Sequence, residues 1–167
     1  MNLTKETEKK KMDNSNRNVK SVVVYHNAEF QNRKAGFIPM ASVDLTVEKS
    51  TRDDKHIKDM HAMEYAYRWT NNVMGSWSNK DEVVFENGEM NRDLNDNVTV
   101  LKGLKFNDEG RLMGHRSTSV GDVMHVQYVD GKSAWFMVAS FGFTFINEGD
   151  LLNDKLLLDE ERYSYFS

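Results

Sequence analysis

Residues 115–125 hold His115, Ser117, Ser119, Asp122 and His125, the residue types of a Ser-His-Asp nucleophilic site. That chemistry needs a serine hydroxyl, a histidine that takes its proton and a carboxylate that orients the ring, and the three normally come from separate segments. Here they crowd one segment, and neither serine sits in a strand-turn-helix elbow. No catalytic residue is therefore expected. Arg116 suggests other chemistry. A guanidinium beside the hydroxyls of Ser117 and Ser119 can hold an anion such as a phosphate or nucleotide. The competing reading is local: Ser117, Thr118 and Ser119 bond the nearby backbone, Gly121 supplies an unusual backbone angle, and Asp122 closes the turn.

A second group lies on a helical stretch. His56 and His61 are five apart and so cannot form the i, i+4 pair of a zinc helix. His61 and Glu64 could share a metal, but two ligands on one exposed face read as solvated side chains, and no metal or cofactor is expected. Glu64 and Arg68 are four apart in the order that favours an ion pair. Trp77, Trp135, Phe136, Phe141, Phe143 and Phe145 are the large aromatic anchors; those facing outward would make a binding hot spot. There is no glycine-rich phosphate loop.

Elements must position these groups. The β-branched run at 21–26 reads as a strand, residues 27–40 with Pro39 as irregular, and 42–48 as a strand with Val43, Leu45 and Val47 on one face. Thr51 and Asp54 have capping spacing for a helix that reaches about Asn72 and stops at Gly75. Its apolar face is Met60, Met63, Tyr67, Thr70 and Met74, widened by Ala62, Ala66, Trp69 and Val73. A short strand is expected at 82–86, an exposed loop at 87–97, a strand at 98–101, a further segment at 103–106 and a turn at 107–110. Residues 123–129 and 133–140 should form a hairpin on a type I′ Asp130-Gly131 turn, with Gly142 as a bulge before 143–146. A helix capped by Asn147 is expected to follow. The sum is an α+β fold: an antiparallel, twisted sheet of about five to seven strands, the 52–74 helix on one face, and a C-terminal helix over a second surface or edge.

The 167 residues are 39% hydrophobic, which suits one packed domain. Residues 1–19 lack periodicity and read as a disordered basic tail; 20–167 read as a single α+β domain. With no cysteine, disulfides, thiolate zinc sites and a Cys nucleophile are excluded. No apolar run approaches the ~18 residues that span a bilayer, and the N-terminus lacks the apolar centre of a signal peptide. A soluble, cytoplasmic protein with no membrane partner is expected. Residues 1–20 carry six basic and three acidic side chains, +3, so the formal total of −4 leaves −7 on the rest. An acidic body argues against a nucleic-acid-binding face. Nucleic acid would be met through the tail, or imitated by the body.

Two motifs carry a family resemblance. A helix ends in T-N followed shortly by S-W, as in Thr70-Asn71 and Ser76-Trp77. Further on comes R-S-x-S-V-G-D-V, a short hairpin and Gly-Phe, as in residues 116–123 and Gly142-Phe143. This resembles small uncharacterised accessory proteins of bacteriophages and mobile elements. The C-terminal half is similar to the YodL-like domain, with its S-x-S-V-x-D-V core and terminal G-F. The resemblance spans residues 64–146. It implies an accessory protein acting inside a bacterial host cell, and it transfers no catalytic residue. The expected function is non-enzymatic: binding and modulating a host protein, such as a defence, transcription or proteolysis factor. The alternatives are an anion- or nucleotide-binding protein or enzyme centred on residues 116–122, nucleic-acid binding through the tail, or DNA mimicry by the body. The expected contact residues are Trp77, Arg116, Ser117, Ser119, Asp122, His61, Glu64 and Arg68.

Overall fold

The computed structural model describes residues 17–29, 32–46, 58–83 and 86–147. β1 (Val19–Glu29), β2 (Asn32–Asp44), β3 (Val98–Val100), β6 (Val123–Tyr128), β7 (Ser133–Val138) and β8 (Phe143–Ile146) form one sheet in the order β3-β2-β1-β6-β7-β8. Every neighbouring pair is antiparallel. β4 (Lys105–Phe106) and β5 (Leu112–Met113) make a separate two-stranded hairpin. The one helix among the described residues, α1 (Asp59–Trp69), packs on the sheet against β1 and β6. The fold is α+β with a six-stranded sheet, as the patterning predicts. No helix among the described residues is long and apolar enough to cross a membrane.

Period-two alternation places Val22 and Val24 of β1 beside Val126 and Met124 of β6. All four are fully buried and pack with Ala62, Met63 and Ala66 of α1. Burying each large apolar side chain contributes roughly 1.5–3 kcal/mol, so this seam anchors the helix. The opposite face of the central strands carries Tyr25, Phe37, Val123, Trp135 and Met137 as a second cluster. His125 stacks flat on Trp135 there, ring centroids 3.7 Å apart. Strands buried on both faces read as nearly continuous apolar runs, as in the sequence of β7.

Several expectations change. Residues 27–29 and 32–40 are not irregular: β1 runs to Glu29, and β2 passes straight through Pro39. The proline sits at a break in register, where Val24 faces Ala41 and Tyr25 faces Pro39, leaving Met40 as the extra residue of a bulge. A bulge releases a ladder N–H, so a residue without one is tolerated. α1 is shorter than expected, ending at Trp69. Its C-cap Thr70 N–H donates to the Ala66 carbonyl, and the chain then leaves the helix to meet residues 115–118. The buried stripe is Ala62, Met63, Ala66 and Thr70, whereas Met60 is 45% exposed and Tyr67 is 37% exposed. Gly75 is not a helix stop but a close approach: a Cβ there would lie 2.1 Å from Asn91 Oδ1. The stretch 87–97 is not a solvated loop throughout, since Asn91 and Asp93 are buried.

The β6–β7 connection is a three-residue loop, Val129-Asp130-Gly131, rather than a two-residue type I′ turn. Gly131 N–H donates to Tyr128 O, Tyr128 N–H donates to Lys132 O, and Gly131 has φ 86°. Left-handed glycine after such a turn is the usual three-residue solution. Gly142 belongs to the β7–β8 turn, not to a bulge, because Ala139 N–H donates to its carbonyl and β8 pairs back on β7. Of the segment expected as a strand at 82–86, the described residues show one bridge, Val83 to Met90. The Thr51–Asp54 cap, Val47, residues 84–85, the tail through residue 16 and the C-terminal helix lie outside the described residues.

Met63 is 1% exposed beneath the sheet and Met60 points outward. Met63→Ala is expected to cost about 2–4 kcal/mol and Met60→Ala less than about 0.5 kcal/mol, measured by urea unfolding. Equal losses would contradict this placement of the helix face.

Candidate ligand-binding cleft

The turn before β6 is organised by one buried carboxylate. Asp122 is 1% exposed and accepts hydrogen bonds from two directions. Arg116 grips it with both terminal nitrogens, Nη1 to Oδ2 at 2.6 Å and Nη2 to Oδ1 at 2.8 Å. Backbone N–H groups of Asn27 and Ser119 donate to Oδ1 and Oδ2 at 2.9 and 2.8 Å. Its own backbone completes the join to β7: Val138 N–H donates to Asp122 O, and Gly121 N–H donates to Val138 O. Gly121 has φ 91°, a left-handed conformation that glycine adopts without steric cost. A carboxylate removed from water is tolerated only when matched by charge and donors, and a bidentate guanidinium is the strongest such match.

Beside it runs a chain of hydroxyls. Thr70 Oγ1 donates to Ala66 O at 2.7 Å and lies 2.7 Å from Thr118 Oγ1, which lies 2.9 Å from His26 Nε2. Each hydroxyl has one proton. Thr70 gives its proton to the carbonyl, so Thr118 donates to Thr70, and His26 must donate from Nε2. The tautomer of His26 is thereby assigned. Asp122 Oδ2 also lies on the Nε2 side, at 3.9 Å. A catalytic relay would place base and carboxylate on opposite ring nitrogens, so this cluster is not a triad. Burial depresses the His26 pKa to about 4. Asp122 opposes that shift, while Arg116 and His115 reinforce it.

Trp77 is fully buried. Its Nε1–H donates to Arg116 O at 2.9 Å, and its ring lies against those of His26 and His115. Asn72 staples the same segment: its N–H donates to Ser117 Oγ and its Nδ2 to His115 O. Thr118 N–H donates to Thr70 O. The two motifs behind the phage-protein resemblance are thus in contact. Trp77 is a post inside the fold, and Ser117 and Thr118 bond distant chain, not the local backbone. The turn closes through the main chain and Asp122: Asp122 N–H donates to the Ser119 carbonyl, and Ser119 N–H donates to Asp122 Oδ2.

Arg116 also lines a cleft of about 350 Å³. Ala28, Ile38 and Met40 face it from β1 and β2, with His26 and Asn27 beside them. Lys102, Gly103, Lys105, Met113, Gly114 and His115 supply the other wall. None of these described lining residues is an acid. Burial lowers the Lys102 pKa, and the charge of Lys105 lowers it further. His115 Nε2–H donates to Lys102 O at 2.7 Å, clasping the base of the β4–β5 hairpin; burial depresses the pKa of this ring too.

Of the expected contact residues, Arg116 alone lines the cleft. Asp122 anchors it from behind. His61 and Glu64 are exposed on α1, outside it. Arg68 forms its ion pair with buried Asp93 at 3.1 Å, not with Glu64, and lies 4.3 Å over the Trp69 ring. Asp93 in turn accepts from the N–H groups of Val73 and Met74. His26, Lys102, Lys105 and His115 were not singled out as ligand contacts by sequence. A basic pair three apart around Gly103 is the sole local hint of the lysines, and nothing local marks His26. No family model, curated protein or solved structure matches this chain.

Asp122→Ala leaves Arg116 and two backbone donors without their acceptor, and a loss of roughly 3–5 kcal/mol in urea unfolding is expected. A cost below about 1 kcal/mol would contradict its central role. The pH dependence follows from His26. Its folded pKa lies below the ordinary value of 6.5, so the unfolded chain binds the proton first as pH falls. Stability is full above about pH 6.5 and drops by about 3 kcal/mol toward pH 4. His125, lowered to about 4 by burial, acts in the same direction. A His26→Gln variant should show a shallower slope, and an unchanged slope would contradict the assignment.

Proposed function

We propose that the protein is a non-enzymatic binding protein that takes a small anionic ligand in the cleft beside Arg116. The observation that carries this reading is the lining: Lys102, Lys105 and Arg116 converge on one concavity with two histidines and no described acid. Basic side chains around a concavity favour an anion over a neutral ligand. The volume is at the small end of ligand pockets, which suits a metabolite-sized anion. The hydroxyl and carboxylate chemistry near residues 116–122 is spent on internal bonds, which supports binding without catalysis. Capture of a host protein rests on the phage-protein resemblance; the concave shape of the cleft favours a small molecule instead. Action within a bacterial cell fits both readings.

Benzoate and phenyl phosphate should raise Tm. A ligand at about a hundred times its Kd stabilises by ~2.7 kcal/mol. Lys102→Met and Lys105→Gln should abolish most of the rise, while Lys132→Gln next to the distant β6–β7 loop should leave it intact. No rise with either anion, or an equal rise in all variants, would overturn the reading.

A further inference from the structure

Two histidines line the cleft, and the bonds they already make fix which nitrogen each can offer. His26 donates from Nε2 to Thr118 Oγ1, a direction set by the hydroxyl chain behind it. His115 Nε2 lies 2.7 Å from the Lys102 carbonyl, which can only accept, so that nitrogen carries the proton too. A neutral imidazole has one N–H and one lone pair. In both rings the lone pair is therefore on Nδ1. Neither Nδ1 meets a hydrogen-bond donor among the described residues, and neither is among the buried side-chain nitrogens left without one. Each thus keeps some surface open.

The two rings belong to one neighbourhood. Both lie against Trp77, with centroids 6.1 and 5.8 Å from its ring. Both also stay neutral. Burial is the largest influence on each and opposes a charge; the charges of Arg116 and His115 act the same way on His26, against Asp122, and that of Lys102 acts the same way on His115, against its bond to the Lys102 carbonyl. The histidines therefore present acceptors to the cleft, not cationic donors. A bare carboxylate brings lone pairs alone and leaves both acceptors unanswered. An ammonium group would answer them but is disfavoured beside Lys102, Lys105 and Arg116 in the same lining. A neutral O–H satisfies both conditions.

We infer that the cleft selects an anion that brings its own hydroxyl donor, a compact hydroxy acid being the simplest case, with that O–H donating to Nδ1 of His26 or His115. The inference rests on the anion-binding reading and adds the donor; the histidine tautomers, not the basic side chains, are its specificity element. Sites built to bond a ligand hydroxyl reject the analogue that lacks it, because their own polar group is then left unpaired.

The test pairs calorimetric titration of the full chain at neutral pH with ¹⁵N NMR of histidine-labelled protein. The probes are mandelate, phenylacetate, which lacks the hydroxyl, α-methoxyphenylacetate, whose oxygen can only accept, and benzyl alcohol, which lacks the anion. Mandelate should bind one to one, at least about tenfold tighter than each of the others. Without ligand, Nδ1 of His26 and His115 should resonate as unprotonated nitrogens. Mandelate should move at least one of these resonances upfield, as accepting a hydrogen bond does, and phenylacetate should move neither. Phenylacetate or the methoxy compound binding as tightly as mandelate would overturn the hydroxyl inference and leave the anion reading standing. So would Nδ1 resonances that ignore mandelate, or that show an imidazolium in its complex. Benzyl alcohol binding as tightly as mandelate, or no binding by any probe, would overturn both.

Discussion

The structure depends on the buried Asp122 carboxylate. A charge at 1% exposure is strongly unfavourable unless donors and an opposite charge surround it. Meeting that demand dictates much of what lies nearby. Arg116 must fold back onto its own turn, Ser119 must present its N–H, and β1 must bring Asn27 alongside. Because Gly121 and Val138 exchange backbone bonds at the same place, β1, β6 and β7 are fastened at one end by a single knot.

The rest of the site is layered on that knot. The end of α1 is laced to residues 115–118 through Thr70 and Asn72, and Trp77 fills the space beneath Arg116 with its indole N–H satisfied. Arg68 and Asp93 secure the following loop from the other side, where Asn91 Nδ2 donates to the carbonyls of Ser76 and Asn79. Side chains of catalytic type are consumed in this scaffolding. A densely bonded polar network is rigid and specific. Two lysines on the hairpin side and apolar residues from β1 and β2 complete the lining of the cleft.

Legibility followed the range of the interaction. Val22–Val24, the Val98 strand and the alternation of β6 were readable because period two expresses a half-buried strand directly. The central part of the helix was readable for the same reason at period 3.6, although its boundaries and its buried stripe shifted. Pro39 misled because a bulge set by register with β1 removed the usual objection to proline. Asn91 and Asp93 looked like turn residues, and only the partners they reach, the chain at 73–81 and Arg68, make them buried organisers.

By itself the sequence determined the fold class, the strands and helix of the sheet layer, and the importance of residues 116–122. Apolar periodicity and turn chemistry are local, and each residue carries its share of them in its own identity. The tertiary structure alone decided what that segment does. Asn27 and Asp122 stand 95 residues apart in the chain, and His26 and Thr118 stand 92 apart. Which donor satisfies which acceptor across such separations is set by sheet order, and no local pattern encodes it. Burial then gave Asp122 and Thr118 to the scaffold and set Lys102, Lys105 and Arg116 in the lining of the cleft.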